Sequence, residues 1–122
     1  MLIFKNAWFR RFARREKITD KALREAIARA EKDTIDADLG GHVIKQRIAR
    51  PGQGKSGGYR MIIFFKKGEK AFFVYGFSKS ERENIDKRET DMFKKAAKEL
   101  LTLSDKHIQE LIENGELTEI EL

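Results

Sequence analysis

The hydrophobic and polar positions of the N-terminal third predict a short strand followed by two helices. Leu2–Phe4 is predicted to form the strand, and Asn6 to cap a helix that runs to about Arg15. Thr19 is predicted to cap a second helix that runs to about Lys32. The apolar stripe of the first helix consists of Trp8, Phe9, Phe12 and Ala13, and that of the second of Ala22, Leu23, Ala26, Ile27 and Ala30. The alanines predict a close approach to the first helix, in a hairpin that covers one face of a sheet.

The middle of the chain predicts three strands, preceded by a turn-rich segment at Asp33–Gly41. The strands are Val43–Ala49, Tyr59–Lys66 and Lys70–Ser78, joined by a glycine-rich loop and a short KKGEK turn. Alternation places Lys45 and Arg47 on one face of the first strand, Arg60, Ile62 and Phe64 together on the second, and Ala71, Phe73, Tyr75 and Phe77 together on the third. Both faces of the last two strands are apolar, so the second face is expected to lie under a further helix or a partner.

The C-terminal third predicts two more helices. The first spans roughly Asp86–Thr102, and the second begins after Ser104 and ends at Asn114-Gly115. Glu116–Leu122 is left open as a docked strand or a loose tail. The expected fold is α+β: a small antiparallel sheet with an N-terminal helix hairpin on one face and C-terminal helices. We expect a single domain over residues 1–122, with a core at about 2–101 and a helical extension at about 103–122.

The amino-acid composition excludes several kinds of catalytic and binding site. The 122 residues include no cysteine, which excludes disulfides and thiol catalysis, and the two histidines, His42 and His107, lie far apart. We therefore expect no metal site and no cofactor. No apolar run is long enough to cross a bilayer, and the N-terminus does not resemble a secretory signal, so we expect no membrane partner and a cytoplasmic location.

The positive charge is concentrated in the predicted sheet. Residues 43–82 hold ten Lys and Arg against two acids, a net of +8, whereas the whole chain carries +6 and residues 83–122 carry −5. A basic sheet indicates a polyanionic partner, and RNA is the leading candidate. The negative charge of residues 83–122 is explained most simply by a contribution to solubility. The arginines of the first helix (Arg10, Arg11, Arg14 and Arg15) fit either a solvated helix face or a contact with nucleic acid.

Several of these basic residues suit the cleavage of RNA without a metal. That reaction needs a base for the 2′-hydroxyl, cations for the charge on phosphorus and an acid for the leaving 5′-oxygen. Lys45 fits the base because neighbouring arginines lower a lysine pKa, and Arg47 and Arg60 fit the phosphate. Lys79 and Arg82 are expected to join the same patch, and Tyr59 or Tyr75 to stack a base or donate a hydroxyl. Electrostatic binding without chemistry remains the alternative.

The glycine-rich loop, ARPGQGKSGG at residues 49–58, satisfies a permissive Walker A pattern. A true P-loop lies between a strand and a helix, whereas a strand, YRMIIFF, follows this loop, so we reject nucleotide binding. Arg50 and Lys55 are instead expected to contact an RNA backbone, with a plain strand connection as the alternative.

Three local motifs follow one another along the chain: Lys45-Gln46-Arg47, Gly57-Gly58-Tyr59-Arg60 and Lys79-Ser80-Glu81-Arg82, the last of which continues as K-S-E-R-x-N-I to Ile85. Their order resembles the RelE/ParE superfamily of bacterial toxins, and the Lys79–Ile85 segment is most similar to its RelE-like, HigB-type branch. The similarity covers about residues 2–101. It implies a type II toxin that cleaves mRNA, commonly on the ribosome, and that a cognate antitoxin, often of the helix-turn-helix type, neutralises. Lys45, Arg47 and Arg60 match basic residues of the family's catalytic patch.

Two positions depart from the RelE pattern. Ser80 stands where the family's well-known members have a catalytic arginine, and Asp86 where they have a tyrosine. Lys79 or Arg82 is a substitute for the missing charge, and Tyr75 for the missing ring. These departures leave two alternatives open: a ParE-like inhibitor of DNA gyrase, and an inactive homologue that still binds its antitoxin.

Overall fold

The computed structural model describes the backbone of residues 1–50 and 54–121, and the side chains of the same residues except 54–57. The α+β class is confirmed, with helices at both ends of the chain and a sheet between them. The elements are β1 (Leu2–Asn6), α1 (Ala7–Glu16), α2 (Asp20–Glu31), β2 (Ala37–Gly40), β3 (Val43–Arg50), β4 (Gly54–Lys66), β5 (Lys70–Ser78), α3 (Lys87–Leu101), α4 (Asp105–Glu113) and β6 (Leu117–Ile120). Within this described part, no helix is both long and apolar enough to span a membrane.

The strands form one sheet in the order β2-β3-β4-β5-β1-β6. Neighbouring strands are antiparallel except β1 and β5, which run parallel. Two edge strands were not predicted from the pattern alone. The segment Asp33–Gly41 contains β2 as well as turns, and Leu117–Ile120 is a docked strand on β1.

The N-terminal helices cover one face of the sheet, as predicted. The Asn6 side chain accepts a hydrogen bond from Phe9 N at 2.7 Å, and the Thr19 hydroxyl accepts one from Ala22 N at 3.1 Å. These caps satisfy amide groups that have no partner within the helix. The alanine stripe of α2 was expected to approach α1, but it packs against β3, where Gln46 Nε2 donates to Ala26 O at 3.0 Å. Trp8, expected in the buried stripe, is 36% exposed.

The opposite face of the sheet lies under α3 and α4, as predicted for a second covering helix. Its cluster joins sheet residues to Ala97, Leu101 and Ile108 of the two helices. Asp86 caps α3 in a capping box: its side chain accepts from Glu89 N, and the Glu89 side chain accepts from Asp86 N. This face is called the α3 face below, and the other the hairpin face.

A β-bulge interrupts the predicted alternation of β5. Ile62 pairs with Tyr75 but Ile63 pairs with Phe73, so Val74 is an extra residue in β5. Val74 and Tyr75 consequently both lie on the α3 face, and Phe77 follows them there. The prediction that Tyr75 and Phe77 share a face with Ala71 and Phe73 is therefore wrong, because one inserted residue inverts every later side chain.

Candidate active site on the sheet

Two cross-strand rows on the α3 face bring together four of the predicted site residues, Lys45, Arg47, Arg60 and Tyr75. The first row is Lys45, Ile62 and Tyr75, and the second is Arg47, Arg60 and Phe77, on β3, β4 and β5 respectively. Neighbouring strands lie about 4.8 Å apart, so the Cα atoms of Lys45 and Tyr75 are about 10 Å apart. That spacing leaves room for a phosphate between their side chains.

Lys45 lies partly buried, with its amine held by a neighbouring side chain. Its Nζ donates a hydrogen bond to Asn84 Oδ1 at 3.1 Å. Burial lowers the pKa of Lys45 below its ordinary value, and the positive charges of Arg60 and Arg47 lower this pKa further. A lowered pKa increases the fraction of neutral amine at a given pH, and only the neutral amine can accept a proton.

Arg47 and Arg60 face each other across the β3–β4 ladder. Like charges at directly opposed positions repel each other in a sheet, and an anion between the two groups would offset that repulsion. Arg47 keeps 44% of its side chain exposed, and its Nε is 4.0 Å from Asp36 Oδ1. Arg60 is only 9% exposed, and its Nη1 donates to Gly58 O at 3.4 Å.

Arg82 lies above the second row as a fixed cation. It pairs with Glu89 through two hydrogen bonds, at 2.6 and 3.1 Å, and its guanidinium lies 5.5 Å from the centre of the Phe77 ring. Its Nε donates to Asn84 O at 3.0 Å, so Asn84 links Arg82 to Lys45. The hydrogen bonds that Arg82 donates to Glu89 and then to Tyr75 raise the pKa of Arg82 above its ordinary value, so this group keeps its proton.

Tyr75 offers its hydroxyl rather than its ring. The hydroxyl oxygen accepts a hydrogen bond from Arg82 Nη1 at 3.2 Å, which leaves its own hydrogen to be donated elsewhere. The ring packs against Trp8 at 4.6 Å, Phe93 at 5.9 Å and Phe77 at 6.0 Å between ring centres. Because these neighbours surround it, the ring is poorly placed to stack an RNA base.

Tyr59 and Arg50 lie on the hairpin face and do not join this site. Tyr59 is 3% exposed, and its hydroxyl donates to Glu16 Oε1 at 3.0 Å. Burial raises the pKa of Tyr59, and the hydrogen bond to Glu16 raises it further. Arg50 lies over the Tyr59 ring, 5.7 Å from its centre. The structure therefore gives Tyr59 no surface on which a base could stack, contrary to the role expected from the sequence.

The other residues that the sequence analysis assigned to the site, or compared with the family's pattern, make fewer contacts with the two rows. Lys79 is exposed, and its described contact is that of its backbone nitrogen with Gly58 O at 3.5 Å. Ser80, at the position of the family's arginine, lies with its hydroxyl 3.1 Å from that of Ser78. Asp86, at the position of the family's tyrosine, is the cap of α3. Lys55 lies outside the residues whose side chains are described.

Asn84 is a site residue that the residue-by-residue reading of the sequence missed. Its Oδ1 accepts from Lys45 Nζ and from Ile85 N, at 3.1 and 2.9 Å. An amide in a loop between a strand and a helix carries no signal of its own. Its position in the segment Lys79–Ile85, which contributed to the family resemblance, is the only indication that the sequence offers.

Comparison with known proteins identifies the family of the chain. The chain matches the family model described as the RelE toxin of the RelE/RelB toxin–antitoxin system over residues 1–120. The match includes α4 and β6, which the sequence had set apart as an extension. Neither the comparison with curated proteins nor that with solved structures gave a match. The family match covers nearly the whole chain, so the protein belongs to the RelE toxin family, within the RelE/ParE superfamily, and is a toxin of a toxin–antitoxin system with a cognate antitoxin as its partner.

Proposed function

We propose that this toxin is a metal-independent endoribonuclease that cuts mRNA on translating ribosomes. The observation that carries the proposal is the convergence of Lys45, Arg47 and Arg60 beside Tyr75 in two adjacent rows of one sheet face. A lysine with a lowered pKa, two guanidinium groups and a phenol are the groups that transesterification of RNA requires.

In the proposed mechanism, the neutral amine of Lys45 takes the proton of a 2′-hydroxyl. The 2′-oxygen then attacks the adjacent phosphorus, and the bond from phosphorus to the 5′-oxygen breaks. Arg47 and Arg60 stabilise the charge that builds on the non-bridging oxygens. The Tyr75 hydroxyl donates its proton to the leaving 5′-oxygen, which gives a 2′,3′-cyclic phosphate and a 5′-hydroxyl.

Asn84 and Arg82 act as positioning residues in this scheme. The Asn84 amide oxygen takes one N–H of Lys45 and so fixes the direction of the amine. Arg82 donates to the Tyr75 oxygen, which stabilises the phenolate that remains after proton donation. Since Glu89 and the Phe77 ring hold Arg82 in place, little reorganisation is needed during the reaction.

We further propose that the toxin acts in the cytoplasm, where ribosomes and mRNA are present, and that an antitoxin of the helix-turn-helix type neutralises it. The net charge of +8 on residues 43–82 supports both partners, because a ribosome and an acidic antitoxin segment are each attracted to it. The HigB-type branch also remains a proposal, supported by the Lys79–Ile85 segment.

The test is induced expression in a bacterial host, with primer extension on several transcripts. We expect new 5′ ends inside translated regions for the wild type and none for Arg60→Ala, because removal of one transition-state cation costs about 10²–10³ in rate. Arg11→Ala, an exposed arginine on α1, is the control and should cut normally.

Growth arrest with intact transcripts would refute the proposal and indicate gyrase or another target. Absence of any growth effect from a folded protein would indicate an inactive, antitoxin-binding homologue. Unchanged cutting by a folded Arg60→Ala protein would remove Arg60 from the mechanism.

A further inference from the structure

A second cationic cavity lies at the other end of α3, away from the proposed active site. Its volume is about 380 Å³, and its lining includes Gly41, His42, Lys66, Lys94, Lys98 and Leu101. No Asp or Glu contributes to the lining. The cavity therefore has three lysines and no carboxylate among its lining residues.

The cavity is built on an unusual turn between β2 and β3. Gly40, Gly41 and His42 all have positive φ, at 86°, 59° and 65°. The glycines let Lys94 lie across the turn: a Cβ on Gly41 would be 3.1 Å from Lys94 Cγ, and one on Gly40 would be 3.4 Å from Lys94 Nζ. Histidine is one of the few residues besides glycine that adopt the left-handed conformation readily, so the sequence Gly-Gly-His suits this turn.

Within the described part of the chain, the two lysines of α3 in this cavity form no salt bridge, although the pKa of Asp91, lowered first by the hydrogen bond from Lys87, is lowered further by the charge of Lys94. Among the described residues, no carboxylate lies within 4.0 Å of the ammonium of Lys94 or Lys98, whereas Lys87 on the same helix pairs with Asp91 at 2.9 Å. Lys66 is within 3.4 Å of Glu69, outside the lining. Lys94 and Lys98 are also four residues apart, a spacing at which like charges repel.

We propose that this cavity binds a backbone phosphate of the RNA strand whose reactive phosphate lies at Lys45. The inference rests on the proposed function, since it assigns a second contact to the same substrate. His42 precedes Lys45 by three residues along β3, a distance of about 10 Å. Lys66 also shares the alternation of Arg60, Ile62 and Phe64 on β4, so the two cationic surfaces face the same side of the sheet.

RNA is favoured over an acidic protein segment because the three ammonium groups surround a small concave space rather than a long groove. A phosphate group can accept hydrogen bonds from several donors at once within such a space. This second contact would extend the strand from Lys45 along β3, and its contribution should depend on the length of the RNA.

The test compares the double variant Lys94→Ala/Lys98→Ala with the control Lys95→Ala/Lys106→Ala, which removes the same charge from exposed positions outside the cavity. The probes are 2′-O-methyl RNAs, which lack the nucleophile, of about 4 and about 16 nucleotides, the limits of common single-strand sites. Binding is measured over a range of salt concentrations, and thermal unfolding checks that each variant is folded.

We expect the cavity variant to bind the longer RNA on the order of tenfold more weakly, with a salt slope smaller by about 0.7 for each lost phosphate contact. Its affinity for the shorter RNA, and the affinity of the control for both, should not change. Equal losses for the control, or for the short RNA, would overturn the inference. Normal RNA binding with weaker antitoxin binding would also overturn it and assign the cavity to the protein partner.

These outcomes are separable from failure of the proposed function. If wild-type protein cuts no transcript, the nuclease proposal fails whatever the cavity binds. If it cuts transcripts but the cavity variant binds long RNA like the control, only the inference fails.

Discussion

Replacement of Arg47 by glutamine tests whether the opposed arginines Arg47 and Arg60 lower the stability of the fold but are needed for RNA cleavage. Arg47 lies directly opposite Arg60 on the β3–β4 ladder and two residues from Lys45 on the same strand face. Its own ionic partner is weak, because Nε is 4.0 Å from Asp36 Oδ1. Glutamine keeps much of the side-chain length and removes the charge.

The magnitude follows from the spacings. If the charges keep the backbone separations, Arg47 repels Arg60 across about 5 Å and Lys45 across about 6.6 Å. In water these distances correspond to about 0.8 and about 0.6 kcal/mol. Loss of the exposed Asp36 contact costs about 0–1 kcal/mol, and Asp36 retains Arg29 at 3.4 Å as its partner. We therefore expect the free energy of unfolding to rise by about 0.4–1.4 kcal/mol, or by roughly 1–6 °C in Tm.

The assay pairs thermal unfolding with RNA cleavage in a translation extract. Arg47→Gln should unfold at a slightly higher temperature, and the gain should shrink as salt rises, since the Debye length is about 8 Å at physiological ionic strength. Cleavage should fall by about 10²–10³-fold. Arg11→Gln is the matched control, with the same change of charge on the exposed side of α1, and should leave the cleavage rate unchanged.

The result that supports a catalytic role for Arg47 is a rise in stability together with a fall in the cleavage rate. A folded variant that loses more than about 1 kcal/mol of stability would give Arg47 a structural role, and one that cleaves at the wild-type rate would exclude it from phosphate stabilisation. Either result would refute the reasoning from the opposed arginines.

Two further predictions concern the base and the bulge. In the proposed mechanism Lys45 acts as a neutral amine, and its pKa is lowered. The cleavage rate should therefore rise with pH and level off above that pKa. Lys45→Ala should remove this rise and slow cleavage by about 10²–10⁴-fold, with RNA binding much less affected. Equal losses in rate and in binding would make Lys45 a positioning residue. Gly76→Ala should lower the free energy of unfolding by about 1–3 kcal/mol, because the new Cβ would lie 2.5 Å from Phe12 Cε2. Thermal unfolding should show a smaller loss of stability when Phe12 is also replaced by leucine. An equal loss in that background would exclude the clash with Phe12 as the cause.

The helices could be predicted from the sequence because their signals are local. The Asn6, Thr19 and Ser104 side chains each bond to a backbone amide three residues ahead, and apolar spacing identifies the buried stripes. β2 gave no comparable signal: its four residues, Ala37–Gly40, alternate in burial but are too few to distinguish an edge strand from a turn. What defines it is pairing with β3, and pairing between segments is not encoded in either segment alone.

Only part of the candidate site could be predicted, because some of its contacts join segments that are distant in the sequence. The basic residues of β3 and β4 were identified from charge and alternation, and their register then brings Arg47 opposite Arg60. The partners that decide their roles are distant in sequence or on a loop: Asn84 lies 39 residues from the lysine it orients. Glu89 likewise holds the Arg82 side chain in place through a salt bridge, and counting charges along the sequence does not reveal that pair.

The bulge at Val74 is the feature on which the proposed chemistry depends most. With regular alternation Tyr75 and Phe77 would lie on the hairpin face, and the Lys45 row would have no hydroxyl on β5. One inserted residue moves both rings to the face of Arg60 and leaves Gly76 against the Phe12 ring. A side chain at that position would collide with the ring, so the glycine and the bulge are needed together. The position of the expected proton donor thus depends on a packing constraint on the opposite face of the sheet.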